Sequence, residues 1–196
     1  MNLVKFFEIA AKLKEVERTG WVERGVKNPE SSSEHSFMVA LMVLILGRNV
    51  SRDTFNRSGK GRKLDREKAL KMAIIHDLPE AIVGDIISKE NWEEGGHMWG
   101  HEKASKERPA ARKLASLSGE KEILELWNEF EEQKTPEARF VKDVDRLATI
   151  FQAVEYHRKG NYRKPLPPFW DEKGVSSVKD PELKRVLQSL LKTVKG

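Results

Sequence analysis

The chain has 196 residues, 38% of them hydrophobic and 34% charged, with 36 basic against 31 acidic side chains for a formal charge of +5, and no cysteine. A chain of this length buries roughly 70% of the surface it exposes when unfolded, so a single domain over residues 1–196 is expected. The lack of cysteine excludes disulfides, a thiol nucleophile and thiolate-bound zinc, and leaves His, Asp and Glu as the strong metal ligands.

Apolar residues recur with a period of three to four along nearly the whole chain, which predicts an all-α helical bundle. Leu3, Phe6, Phe7, Ala10, Ala11 and Leu13 form the stripe of a first helix, with Arg18 at its end. A second helix is expected from a Ser31–Glu34 capping box to Leu46, with Gly47 to end it. Phe37–Leu46 is apolar on almost every face, which predicts the buried centre of the bundle. That run is far short of the roughly 20 residues that cross a bilayer, and the N-terminus lacks a signal peptide's pattern, so a cytoplasmic protein without a membrane partner is expected. Between Ser51 and Lys68, seven basic residues outweigh three acidic ones; a solvated loop is the simpler reading, and nucleic acid is not the expected partner. A third helix is expected over Asp65–His76, with Pro79 marking its end or a new start. Gly84–Gly100 reads as a long loop, and further helices are predicted at Arg108–Ser116 with Pro109 in the first turn, Glu120–Glu132, Pro136–His157 and Pro181–Val194.

Two of the five histidines adjoin an acid inside an apolar helix, as Glu34-His35 and as His76-Asp77. Charged groups there need partners or a metal, and each pair alone is open to both readings. A third acid, Asp145, sits among Val141, Val144, Leu147 and Ala148, whereas Asp143 is expected in a surface salt bridge. Glu80 follows His76 by four residues and shares its face if helical geometry persists past Pro79; it can handle a proton or simply favour a helix N-terminus. Asp85 is open between a helix cap and a ligand. Arg18 beside Trp21 can bind a phosphate while the ring packs on a sugar or base, or can be an ordinary basic turn. His97 and His101 share an i, i+4 spacing, but Gly96 and Gly100 disfavour the helix it needs.

Taken together, His35, the contiguous His76-Asp77 and the distant Asp145 resemble the H…HD…D signature of the HD-domain metal-dependent phosphohydrolases. The stretches Arg18-Thr19-Gly20-Trp21, Pro29-Glu30-Ser31-Ser32-Ser33-Glu34-His35, His76-Asp77-Leu78-Pro79-Glu80 and Lys142-x-x-Asp145 narrow the resemblance to the branch of bacterial 5′-deoxynucleotidases and their archaeal and eukaryotic relatives. The resemblance implies an HD-domain bundle and a phosphohydrolase acting on (deoxy)ribonucleoside 5′-monophosphates. It implies His35, His76, Asp77 and Asp145 as ligands of a divalent cation, with Glu80 in catalysis and Arg18, Trp21 and Asp85 as substrate contacts. Glu80 and Asp85 with the Ile86 carbonyl are an alternative second cation site. Mixed nitrogen and oxygen ligation suits Co, Mn, Mg, Ni, Fe or Zn. In the bacterial enzymes a tryptophan directly follows the matching arginine, whereas here Thr19-Gly20 intervene. A homodimer is expected by the same resemblance. The competing readings are an HD phosphohydrolase acting on nucleoside triphosphates, cyclic nucleotides or guanosine tetraphosphate, and a non-catalytic nucleotide- or nucleic-acid-binding module.

Overall fold

A computed structural model of the chain describes residues 1–48, 64–86, 101–166, 169–170 and 172–194, the side chains of residues 101–102 and 172–173 excepted. Among these the regular structure is helical, and the pairing of Glu17 with Ser31 is an isolated bridge rather than a strand. The described helices are α1 (Leu3–Ala11), α2 (Thr19–Glu23), α3 (Ser32–Leu46), α4 (Arg66–Ile75), α5 (Glu80–Val83), α6 (His101–Ser118), α7 (Glu122–Glu132), α8 (Pro136–Lys159), α9 (Glu172–Ser177) and α10 (Pro181–Lys192).

Local chemistry accounts for most of the starts. The Asn2 side chain accepts from the Lys5 amide, Asp65 from Lys68, Thr135 from Ala138, and Asp180 from Glu182 and Leu183. The predicted capping box at α3 is present in full, with Ser31 accepting from the Glu34 amide and Glu34 reaching back to the Ser31 amide. Gly47 caps α3, and Gly160, at φ +61°, ends α8 in the left-handed conformation.

Three expectations about the helices need correction. Arg18 does not end the first helix: α1 stops at Ala11, a 3₁₀ turn covers Lys12–Lys14, and Arg18 stands extended immediately before α2. The central helix is α8 rather than α3. Only one side of α3 is covered, by Ser32, His35, Ser36, Val39 and Val43, while Phe37, Leu41, Leu44 and Ile45 are exposed. The third correction is α6, which begins at His101 and carries Pro109 in its interior.

The core gathers on α8, whose Phe140, Val144 and Leu147 pack with Val39 and Val43 of α3, Met72 of α4, Phe130 of α7 and Leu183 and Leu187 of α10. Smaller clusters join Trp21 to Tyr156, Leu166 and Phe169, and Ile9 and Leu13 to Leu78, Ala81 and Leu114. Asp143 is buried rather than at the surface. Its carboxylate pairs with Arg146 at 3.3 Å and accepts the amides of Lys179 at 2.5 Å and Asp180 at 2.9 Å, tying the start of α10 to α8. No helix among the described residues is long and apolar enough to cross a membrane.

Candidate functional site

Three packed helices bring the four predicted ligands together. His35 lies in the first turn of α3, His76 caps the C-terminus of α4 with Asp77 following, and Asp145 sits in the middle of α8. All four are within 2% of complete burial. One donor atom from each of His35, His76 and Asp77 lies within 4.8 Å of the others. His76 Nε2 is 3.2 Å from Asp77 Oδ2, and His35 Nε2 is 2.9 Å from Asp145 Oδ1.

A cation fits this group on two observations. His76 Nδ1 donates to the Ala73 carbonyl at 2.8 Å, so in the neutral ring Nε2 is the lone-pair nitrogen, buried without a hydrogen-bond partner. Without a cation, and despite burial, the neighbouring Asp77 instead favours the protonated ring. A buried orphan acceptor beside two ionised carboxylates is what a missing cation would satisfy. Burial alone would raise both acids, but His76 and Arg18 hold Asp77 below the usual carboxylate range, and Lys142 and His35 do the same for Asp145. Lys142 is itself buried, with Nζ 3.1 Å from Asp145 Oδ2 and 4.5 Å from the Phe130 ring centre, and burial pulls it down to about 7.

Arg18 faces the same group. Its guanidinium lies 3.1 Å from Asp77, 3.6 Å from Asp85 and 3.8 Å from Glu80. Burial works against its charge, and these carboxylates more than restore it. Glu80 is fully buried, with both oxygens engaged: Ser32 Oγ donates to Oε2 at 2.6 Å and Lys103 Nζ to Oε1 at 2.9 Å. Burial, and then the Asp77 charge, push Glu80 up to about 8, with Lys103 pulling the other way. Lys103 also pairs with Glu107 at 3.3 Å, and burial pushes Glu107 up to about 7.

Ser32, Lys103, Glu107 and Lys142 were not singled out by the sequence reading for what they do here. The usable signal for two of them was the i, i+4 spacing of Lys103 and Glu107, a pattern that ordinarily marks a solvated helix face.

Asp85 is at the site, but its Oδ2 accepts the Thr19 amide at 2.7 Å and its carbonyl accepts the Thr19 hydroxyl at 2.7 Å, so it docks α2 onto the segment after α5. Neither Glu80, Asp85 nor the predicted ligand Asp145 joins the His35–His76–Asp77 group, Asp145 reaching it through its contact with His35, and Ile86 follows Asp85 half-buried. Trp21 departs from its expected place. It is 2% exposed, its indole N–H donates to Glu30 Oε1 at 2.9 Å, and its ring lies between Tyr156 and Phe169, so it offers no open face to a sugar. A cavity of about 570 Å³ opens beside the centre rather than over it, lined by Glu30, Ser33, Phe37, Met38, Gln152 and Tyr156 among others and by none of the four ligands. His97, most of the Gly84–Gly100 loop, most of the basic stretch after Ser51 and the side chain of His101 lie outside the described residues.

Comparison with known proteins agrees with this geometry. Residues 10–173 match the family model described as HD domain. The protein named 5′-deoxynucleotidase HDDC2 in Bos taurus is 34% identical over 96% of this chain and 84% of its own length. The one of the same name in Dictyostelium discoideum is 40% identical over 81% and 79%. A crystal structure of a protein from Pyrococcus horikoshii OT3 superposes with a TM-score of 0.70 at 36% identity, covering 97% of each chain. With a buried His-His-Asp group carried on an all-α frame and matches of this extent, the chain belongs to the HD-domain family.

Proposed function

We propose that this chain is a metal-dependent phosphohydrolase that removes phosphate from nucleoside 5′-monophosphates, deoxyribonucleotides among them. The observation that carries the reading is the buried His35–His76–Asp77 group with its orphaned His76 Nε2, set beside Arg18 and Glu80. The name 5′-deoxynucleotidase shared by the relatives supports it.

His35, His76, Asp77 and Asp145 would hold one divalent cation, and their nitrogen and oxygen donors suit Co, Mn, Mg, Ni, Fe or Zn. When bound, such a cation activates water and neutralises charge on the phosphate. The chain's own groups do the rest. Arg18 engages the phosphate through a planar, permanently charged fork, drawn partly away from Asp77 and Asp85 as the dianion arrives. Glu80 transfers a proton to the departing 5′ oxygen as the P–O5′ bond breaks and the water oxygen bonds to phosphorus, and the proton released by water restores the carboxyl. Ser32 and Lys103 hold that carboxyl in one orientation throughout. Sugar selectivity in this reading does not come from Trp21, whose ring is committed to the core. The chain acts as one domain, and a homodimer remains part of the proposal.

The test is phosphate release from a panel of deoxy- and ribonucleoside 5′-monophosphates by metal-stripped protein with Co²⁺, Mn²⁺ or Mg²⁺ restored. Free phosphate and nucleoside are expected, lost in Asp77→Ala. Glu80→Gln is expected to keep the metal and lower kcat by roughly 10²- to 10⁴-fold. Absence of release with every metal rejects the monophosphatase reading, and release that survives Asp77→Ala rejects the assignment of the activity to this centre.

A further inference from the structure

We propose that Glu30 is the positioning residue for His35 and that Trp21 holds Glu30 to that task. The inference rests on the reading of His35 as a metal ligand and adds the group that orients it.

His35 is 1% exposed, so neither ring nitrogen can turn to bulk water. Its Nε2 faces the site, donating to Asp145 Oδ1 at 2.9 Å with Asp77 Oδ2 4.0 Å away, and a cation held between these carboxylates would take the place of that proton and make Nε2 the ligating atom. The proton of the neutral ring must then sit on Nδ1, and a buried N–H needs an acceptor. Glu30 Oε1 faces Nδ1 at 3.7 Å, a few tenths of an ångström beyond hydrogen-bond length, so a small shift of the ring on binding a cation would close the bond. Metal-binding histidines recurrently donate their other N–H to a carboxylate, which fixes the tautomer and makes the ligating nitrogen more basic.

Glu30 is anchored as such a role requires. Its amide donates to the Tyr156 hydroxyl at 2.7 Å, and its carbonyl accepts the Arg18 amide at 3.1 Å. Its Oε1 accepts the Trp21 indole N–H at 2.9 Å and keeps a second lone pair for His35. Trp21 is wedged edge-on against Tyr156, with ring centroids 5.3 Å apart, so two of the three anchors of Glu30 belong to one aromatic cluster. The same short segment thus ties the arginine that faces the phosphate to the histidine that faces the cation.

The experiment measures Mn²⁺ and Co²⁺ affinity of the full chain by competition with a chromophoric chelator, without substrate. Wild type, Glu30→Gln, Trp21→Phe and Asp77→Ala are compared, with the metal-free melting temperature of each recorded. Glu30→Gln keeps the shape and an acceptor for Trp21 but loses the charge; it is expected to weaken metal binding by roughly 10- to 100-fold while its metal-free melting temperature stays near that of wild type. Trp21→Phe should lose affinity in the same direction. In the wild type loaded with Zn²⁺, imidazole ¹⁵N shifts should show His35 protonated at Nδ1 and ligating through Nε2. This reading does not depend on any variant folding. Affinity of Glu30→Gln within threefold of wild type, or His35 ligating through Nδ1, overturns the proposal. If Asp77→Ala alone loses the metal, the centre stands and only the role of Glu30 falls. Wild type that takes up no metal rejects the centre itself.

Discussion

Lys103 is one cation between two buried carboxylates, 2.9 Å from Glu80 and 3.3 Å from Glu107. The two acids are not equivalent, because Glu80 also lies 3.8 Å from the Arg18 guanidinium and accepts from Ser32. Glu107 is mostly buried and is pushed up to about 7 from an ordinary value of 4.5, by burial first and against the pull of Lys103. Between those two values the folded chain holds more protons than the unfolded one, so the contribution of Glu107 to stability is full below 4.5 and is lost as pH rises through 7. Glu107→Gln should therefore flatten the decline of stability between pH 5 and pH 8, by at most about 1.4 kcal/mol per pH unit for one proton. Urea melts of the two proteins at pH 5, 6, 7 and 8 would read it, and parallel curves would assign the proton elsewhere. The closeness of His35, His76 and Asp77 was legible through the resemblance to the H…HD…D signature, each His-acid pair alone being open to a structural reading. Lys103 was not, since its partner Glu80 lies 23 residues upstream and a Lys-Glu pair four apart looks like solvated surface. Trp21 was misplaced for a related reason: an aromatic beside an arginine reads as a binding face until the partners of its indole N–H are known.

At the scale of single helices, capping was the readable part and burial the unreadable part. The Ser31–Glu34 box starts α3 one turn before His35, so the cap also sets the angle at which the ring enters the site. Ser31→Ala should cost about 1 kcal/mol, within the usual range for losing such a cap, measured by denaturant unfolding of metal-free protein. A cost below a few tenths would show that packing of Val39 and Val43 alone sets the start. The apolar pattern of α3 overstated its burial, because periodicity reports what a helix can bury and not which neighbours arrive to cover it. For α8 the error ran the other way. Asp143 was expected in a surface salt bridge, yet it pairs with Arg146 and accepts two amides at the α10 start, and so, like Lys142 paired with Asp145, it is buried without being isolated. Pro109 suited a first helical turn by the usual preference, and α6 instead runs eight residues before it.

Across the whole molecule, the candidate centre joins α3, the end of α4 and α8, and so closes the bundle at one end. A cation bound only by the folded state stabilises it by mass action, about 2.7 kcal/mol at a concentration one hundred times Kd. For a domain of this size that corresponds to a rise in melting temperature of roughly 5–10 °C. Calorimetry with Mn²⁺ and then with excess chelator should show that shift within one cooperative transition; two separated transitions would divide residues 1–196 into more than one folding unit. The all-α class was legible in the sequence because a period of three to four runs through almost every apolar stretch. The short α2 was not, since its start depends on Asp85, 66 residues further along, accepting the Thr19 amide.

The 110 residues between His35 and Asp145 also put the centre on a clock. A ribosome adds about 5–20 residues per second, so His76 and Asp77 leave the tunnel several seconds before Asp145, and α8 is pinned only once the amides of Lys179 and Asp180 have followed. Throughout that interval the growing polypeptide carries three of the four proposed ligands and no enclosed pocket for an ion. Capture of a cation by the proposed ligand set would then be a late event, completed only when the last helix docks.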